Sequence, residues 1–222
     1  MNDSVLLPWI YAFLISYVLI APFVAWLRPK ILTLVFAGTA LAGAALVIEL
    51  VVQGLLDPVY AAVIVLVLVG PFTEELLKFF LSGATGANFA SAAGAGIGFA
   101  ATENALYFWA AWGSPLDSLL ALILIRAATD PLLHSTSTTL STLTWRGRWW
   151  GLPAALLLHM SWNFATLVYV AVSPTAGLAL LASASLAVLA IMLLLRRNPE
   201  VQEDLDNRTV LHPLTGEVSA IG

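Results

Sequence analysis

Long apolar stretches separated by short polar turns run through most of the chain. Roughly 20 helical residues cross the ~30 Å hydrocarbon core of a bilayer, and seven stretches reach that length. They cover residues 5–27, 31–56, 58–81, 88–112, 116–143, 152–172 and 175–195. Proline, glycine, serine and aspartate punctuate the turns between them. The pattern predicts an all-α, polytopic membrane domain of seven transmembrane helices over residues 1–197, followed by a flexible polar tail at 198–222.

Composition agrees with this prediction. The 222 residues are 60% hydrophobic and 10% charged, with a mean hydropathy of +0.94, which excludes a water-soluble domain. Cysteine is absent, so disulfides and thiolate metal sites are excluded. Any metal would therefore be held by His, Asp, Glu or Asn. No basic cluster suggests nucleic-acid binding.

Basic residues predict the orientation of the helices, because cytoplasmic turns are enriched in Lys and Arg. With seven helices, the basic residues of the turns all fall on one side: Arg28, Lys30, Arg146, Arg148, Arg196 and Arg197. The opposite side receives only Asp3, Asp57 and Asp117. We therefore predict an outside N-terminus, a cytoplasmic tail and a multi-pass location in the cell membrane.

The third apolar segment carries two adjacent carboxylates and an ammonium, Glu74, Glu75 and Lys78. One charge at the centre of a bilayer costs roughly 2.5–3.5 kcal/mol on insertion scales, so three close together favour a functional role. Glu74 and Lys78 lie one helical turn apart and can pair, whereas Glu75 points about 100° away. A structural ion pair between packed helices is the alternative.

Further polar residues occur inside the apolar segments. Five acids, Glu49, Glu74, Glu75, Glu103 and Asp130, face two permanent bases, Lys78 and Arg126. Three negative charges therefore lack a cationic partner, and burying them unpaired is prohibitive. The imbalance favours protonated carboxylates, which suit acid–base chemistry, or a divalent metal among them.

Spacing brings several of these residues to shared helix faces. Arg126, Asp130 and His134 recur every four residues, so we expect Asp130 to pair with Arg126 and to orient the His134 ring. His159 and Asn163 share a face of the sixth segment. Glu75, His134 and His159 fall ~10–15 Å below the predicted cytoplasmic surface, and Glu103 nearer mid-membrane. Glu49 lies closer to the outer side, and we leave it out of the site.

The polar residues form motifs that resemble those of the PrsW intramembrane proteases, a group related to the CAAX prenyl endopeptidases and CPBP proteins. The resemblance covers residues 70–164 and rests on four motifs in order: Glu74-Glu75-x-x-Lys78, Gly98-Phe99-Ala100-x-x-Glu103-Asn104, Arg126 with His134, and His159-x-x-Trp162-Asn163. It implies hydrolysis of a peptide bond in a membrane-protein substrate within the bilayer. Lys78 departs from the CAAX pattern, in which an Arg one position later is expected.

The resemblance also implies roles for individual residues. Glu74 or Glu75 would activate water, His134 and His159 would bind a metal or donate hydrogen bonds, and Asn163 would stabilise the oxyanion. A bound divalent metal, with Zn²⁺ as the candidate, would use Glu75, Glu103, His134 and His159. The supporting residues would be Lys78, Glu103, Asn104, Arg126 and Asp130. A glutamate mechanism without metal remains open, as does the choice of base between the two glutamates.

Two other classes of function remain open. A cation- or proton-coupled transporter also keeps buried ionisable residues, but usually shows repeats in its two halves, which this sequence lacks. A non-catalytic scaffold of the same superfamily is the second alternative, although both glutamates, both histidines and Asn163 are present. The sequence does not specify the substrate, its cleavage site, the physiological signal or the oligomeric state.

Overall fold

The computed structural model describes residues 3–21, 24, 32–85, 88–206, 209–211 and 218–220. Its helices are α1 Asp3–Leu19, α2 Leu32–Leu55, α3 Pro58–Ile64, α4 Gly70–Thr85, α5 Phe89–Ala110, α6 Leu116–Trp145, α7 Gly151–Ala171, α8 Pro174–Arg197 and α9 Pro199–Asp206. A π-helical turn, Val65–Val69, joins α3 to α4. Two three-residue strands, β1 Thr209–Leu211 and β2 Val218–Ala220, pair antiparallel near the C-terminus.

The helical architecture confirms the predicted all-α membrane domain, and the strand pair in the tail is an addition to it. Three described helical spans are both long and apolar enough to cross a membrane: Leu34–Leu55, Gly151–Ala171 and Pro174–Arg197. Helices α5 and α6 cover the predicted segments 88–112 and 116–143, but their composition is richer in small or polar residues. The predicted segment 5–27 lies partly outside the described residues.

Helices α3 and α4 continue one another through the π-helical turn. The residues that flank this turn, Ile64 and Gly70, both keep right-handed helical backbone angles, so the predicted segment 58–81 is helical throughout. The Leu66 carbonyl of the turn accepts a hydrogen bond of 2.8 Å from the Asn163 amide of α7. Because π-turns are rare and concentrate at functional sites, this turn marks the neighbourhood of α4 for attention.

Helix α5 lies in the interior of the bundle, between α2 and α6. Its residues 92–101 are all buried, and most are alanine or glycine. A β-carbon on Gly98 would overlap the Val35 carbonyl of α2, and one on Gly96 would overlap the His134 carbonyl of α6. The small residues therefore let the backbones approach closely, as expected for packed membrane helices.

The half of α6 that is predicted to lie toward the cytoplasm contains a buried run of serines and threonines. This run covers residues 135–142 and is interrupted only by Leu140. Several of its hydroxyls donate to carbonyls of the same helix four residues earlier, among them those of Thr138, Thr139 and Thr142 at 2.6–2.8 Å. Two hydroxyls instead reach other helices. Ser135 donates to the Ala93 carbonyl of α5 at 3.1 Å, and Ser141 donates to a Glu75 carboxylate oxygen of α4 at 3.3 Å.

Helix α9 contacts the bundle after the last long helix. Its Leu205 is fully buried, and its Asp204 accepts a hydrogen bond of 2.8 Å from Arg148, which raises the pKa of that arginine above its ordinary value. The predicted flexibility of the tail 198–222 concerns motion and stays a prediction. Most of the tail beyond Asp206 lies outside the described residues.

Candidate active site

Four helices bring ionisable side chains into one buried cluster. Helix α4 supplies Glu74, Glu75 and Lys78, whose spacing places all three toward the interior, where they are buried. The remaining members come one from each helix: Glu103 from α5, His134 from α6 and His159 from α7. Both imidazoles are only 1% exposed.

In each imidazole, one ring nitrogen contacts a carboxylate oxygen. His159 Nδ1 lies 2.9 Å from Glu75 Oε1 in a hydrogen bond. His134 Nε2 lies 2.7 Å from Glu103 Oε2, although that oxygen has no hydrogen bond of regular geometry among the described residues. We therefore describe the second contact by its distance alone. The two rings meet edge to face, with centroids 5.1 Å apart.

The other nitrogen of each ring faces the same oxygen. His159 Nε2 is 3.7 Å and His134 Nδ1 is 3.8 Å from Glu74 Oε2. Among the described residues, Glu74, His134 and His159 can each offer a ligand atom within 4.8 Å of the others. Zinc–ligand bonds of 2.0–2.1 Å in a tetrahedral site place ligand atoms about 3.4 Å apart, and the two separations from Glu74 Oε2, 3.7 and 3.8 Å, are slightly longer than this.

Carboxylates behind the imidazoles also suit a metal site. Metal-binding histidines almost always donate their second N–H to a carboxylate, a carbonyl or water, which fixes the ring and its tautomer. Glu75 stands in this position behind His159, and Glu103 does so behind His134. The sequence placed Glu75 and Glu103 among the metal ligands, and that assignment stays a prediction. In the structure, Glu74 is the carboxylate grouped with both imidazoles.

Lys78 is the cation of the cluster. Its Nζ lies 2.9 Å from Glu75 Oε1, 3.4 Å from Glu74 Oε2 and 2.8 Å from His134 Nδ1. It also lies 4.2 Å from the centre of the Phe99 ring, in a cation–π contact. The predicted Glu74–Lys78 pair is present, and the contacts with Glu75 and His134 were not foreseen.

A second cation, Arg126, connects to the cluster through Glu103. Its guanidinium donates to Glu103 at 2.9 Å and to the Asn104 side chain at 2.8 Å, and it pairs with Asp130. Its Cζ lies 3.7 Å from the centre of the Tyr107 ring. The Arg126–Asp130 pair was predicted correctly. The expectation that Asp130 orients His134 is wrong, because the ring nitrogens of His134 contact Glu103, Lys78 and Glu74.

A cavity of about 230 Å³ lies against the cluster. Its wall is mainly apolar, including Ala45 of α2, and its polar lining residues are Glu49, Glu74, Glu103, Tyr107 and Asn163. Glu49, which the sequence analysis left out of the site, lies in the part of the cavity that extends past Glu74 toward the end where α2 meets α3.

Asn163 lines this cavity but bonds elsewhere. One N–H of its amide donates to the Leu66 carbonyl in the π-helical turn, and no hydrogen bond joins it to the glutamates or histidines of the described chain. Its predicted role at the oxyanion stays a prediction.

Comparison with known proteins gives one result. The family model described as "PrsW family intramembrane metalloprotease" matches residues 28–195. That range contains every member of the cluster and the cavity lining. Neither the curated proteins nor the solved structures gave a match.

Proposed function

Because the chain belongs to the PrsW family of intramembrane metalloproteases, we propose that it hydrolyses a peptide bond of a membrane-protein substrate at the cluster around Glu74. The observation that carries this proposal is that two imidazoles from different helices face one carboxylate oxygen at 3.7–3.8 Å. That oxygen belongs to a residue lining a cavity, so a substrate or water can meet it.

Glu74, His134 and His159 would hold the metal, through Oε2, Nδ1 and Nε2 respectively. These ligand types suit Zn²⁺, and three protein ligands leave the open position typical of catalytic zinc. When bound, such a metal lowers the pKa of its water to about 7 and polarises a carbonyl group.

The protein side chains then divide the remaining work. Glu75 and Glu103 hold the two imidazoles in position from behind. Glu74 contacts the cluster through Oε2, which leaves Oε1 to accept a proton from a water molecule in the cavity. We therefore assign Glu74 as the general base and Glu75 as a positioning residue. Asn163 retains a second amide N–H, which we assign to the developing oxyanion.

Lys78 must move when the metal site fills. Its ammonium contacts His134 Nδ1 and Glu74 Oε2, which are two of the three proposed donors. Glu75 Oε1 also contacts this ammonium, at 2.9 Å, and is not a proposed ligand. A shift of Lys78 toward Glu75 would keep its charge paired while releasing the other two groups.

The same proposal includes the membrane arrangement. The chain spans the cell membrane seven times with its N-terminus outside and its tail in the cytoplasm. The basic turn residues on one side support this orientation. The three long apolar helical spans support a membrane protein in general.

Metal content and proteolysis measured together test the proposal. Purified wild-type protein should carry about one zinc per chain and cleave transmembrane peptides in liposomes. His134→Ala with His159→Ala should lose both. Asp117→Asn is the control, because it removes an exposed carboxylate at the start of α6.

Each outcome separates the remaining mechanisms. Proteolytic activity in metal-free wild-type protein would indicate a glutamate mechanism that needs no metal. Full activity in a Glu74→Gln, Glu75→Gln double variant would refute the catalytic assignment. Absence of both metal and activity would favour the non-catalytic scaffold.

A further inference from the structure

Glu49 of α2 is the one cavity carboxylate that has no partner among the residues described. It is only half-buried, and no hydrogen bond or ion pair joins it to the described chain. Its carboxyl group lies near Gly70, where an added β-carbon would come within 3.6 Å of Glu49 Oε1. The side chain therefore reaches the helix that carries Glu74.

The other intramembrane carboxylates are all in contact with a cation or an imidazole. Glu74 and Glu75 contact Lys78, and Glu103 and Asp130 contact Arg126. With all five carboxylates ionised, the two side-chain cations leave three negative charges, and a divalent metal would leave one. One unbalanced charge and one unpartnered carboxylate remain, and both are accounted for by Glu49.

The cavity wall suits the side chain of a long basic residue. Much of the cavity lining is apolar, including Ala42, Ala45 and Leu46 from α2 and Leu106 from α5. Lysine and arginine place a methylene stem along apolar surface while their charged end seeks a polar group. A carboxylate at one part of an apolar cavity provides both features.

We propose that the cavity takes a lysine or arginine of the substrate close to the scissile bond, and that Glu49 selects it by pairing with its charge. The inference rests on the proposed protease function and names the substrate class of that same site. Glu49 is then a specificity-determining residue, separate from the groups that act on the peptide bond.

A guest-residue scan tests the inference. Synthetic transmembrane peptides are reconstituted with the protein in phosphatidylcholine liposomes, with Lys, Arg, Gln, Leu or Glu moved through successive positions. Mass spectrometry locates the cuts. Wild type should cut at a fixed distance from Lys or Arg, at least about tenfold faster than with Leu or Gln, because a site built for a polar partner rejects analogues lacking it.

Substitutions at Glu49 assign the preference. Glu49→Gln should abolish the preference for Lys and Arg, Glu49→Lys should shift it toward Glu, and Glu49→Asp should retain it. Asp117→Asn should behave as wild type, because this exposed carboxylate does not line the cavity. Thermal unfolding of each variant checks that it is folded.

The outcomes distinguish this inference from the proposed protease function on which it rests. Cleavage without a preference for basic residues, or a preference unchanged in Glu49→Gln, overturns the role of Glu49 and leaves the protease intact. If zinc-loaded wild type cleaves none of the peptides, the proposed function fails, and the inference fails with it.

Discussion

Two adjacent glutamates have different surroundings because neighbouring residues on a helix point about 100° apart. Glu74 lines the cavity and faces both imidazoles, whereas Glu75 is fully buried behind His159. The sequence left their roles open, because periodicity shows that they diverge without showing which one meets the cavity. In the structure, Glu74 is the one that lines the cavity.

Replacement of Glu75 tests its role behind His159. In Glu75→Gln the imidazole keeps a neutral acceptor but loses the carboxylate, so zinc affinity should fall about 10–100-fold. Competition with a chelator of known zinc affinity measures this change. Ser141→Ala is the control: it removes only the 3.3 Å hydrogen bond to the other oxygen of Glu75 and should have a much smaller effect. Unchanged zinc binding in Glu75→Gln would contradict the assignment.

Lys78 should compete with the metal. Lys78→Met removes the ammonium from two proposed donors, so we expect tighter zinc binding. Without metal, the variant should be destabilised by about 3–5 kcal/mol, the usual cost of removing one partner of a buried ion pair. The zinc-induced rise in Tm should therefore exceed that of wild type. Lys78→Arg keeps a cation and should resemble wild type, whereas weaker zinc binding in Lys78→Met would exclude competition.

At the level of the helices, α5 sets how closely the site can assemble. Its buried alanines and glycines bring α6 near enough for Glu103 to contact His134 at 2.7 Å. Gly96 is the closest point, because its backbone lies against the carbonyl of His134 itself. The distance between α5 and α6 and the position of the proposed metal ligand His134 are therefore linked at Gly96.

A paired glycine substitution tests that link. Gly96→Ala should displace His134 and cost about 1–3 kcal/mol through overpacking, together with a loss of zinc binding. Gly43→Ala is the matched control on α2: nothing lies within 4 Å of its added methyl group, and an alanine within a helix stabilises by about 0.5–1 kcal/mol. Thermal unfolding and zinc titration measure both effects. Equal behaviour of the two variants would show that the close approach does not matter.

For the whole molecule, the arrangement in the membrane determines which side of the bilayer the cavity serves. The cavity extends from Glu74 toward the end of the bundle where α2 meets α3 and α5 ends, as its lining by Glu49 and Ala110 shows. In the proposed orientation this is the outer end. Substrate residues would then enter from the outer half of the membrane.

Cysteine labelling tests the orientation, because the natural sequence contains no cysteine. Single variants Asp117→Cys and Glu200→Cys place a thiol at exposed positions on opposite predicted sides. In intact cells, a membrane-impermeant maleimide should label position 117 and leave position 200 unlabelled until the membrane is permeabilised. The reverse pattern would invert the topology, and labelling of both would require an even number of crossings between them.

The sequence predicted the components of the site better than their contacts. Intramembrane polar residues and the four motifs singled out Glu74, His134 and His159, which lie close together in the structure. The sequence assigned the orientation of His134 to Asp130, because that contact depends on how different helices are offset and rotated. It also could not predict the π-helical turn, whose Leu66 carbonyl is bonded by a residue 97 positions away in sequence.

The serine and threonine run of α6 has an evolutionary consequence. Hydroxyls that bond only to their own helix, such as those of Thr139 and Thr142, require nothing from neighbouring helices. Substitution by alanine or valine at such positions would leave no hydrogen-bonding group of another helix without its partner and should be nearly neutral. Ser135 and Ser141, which bond to α5 and α4, should resist replacement. Divergence among descendants of this gene should therefore be uneven along a single buried helix, although all four hydroxyls are equally hidden from solvent.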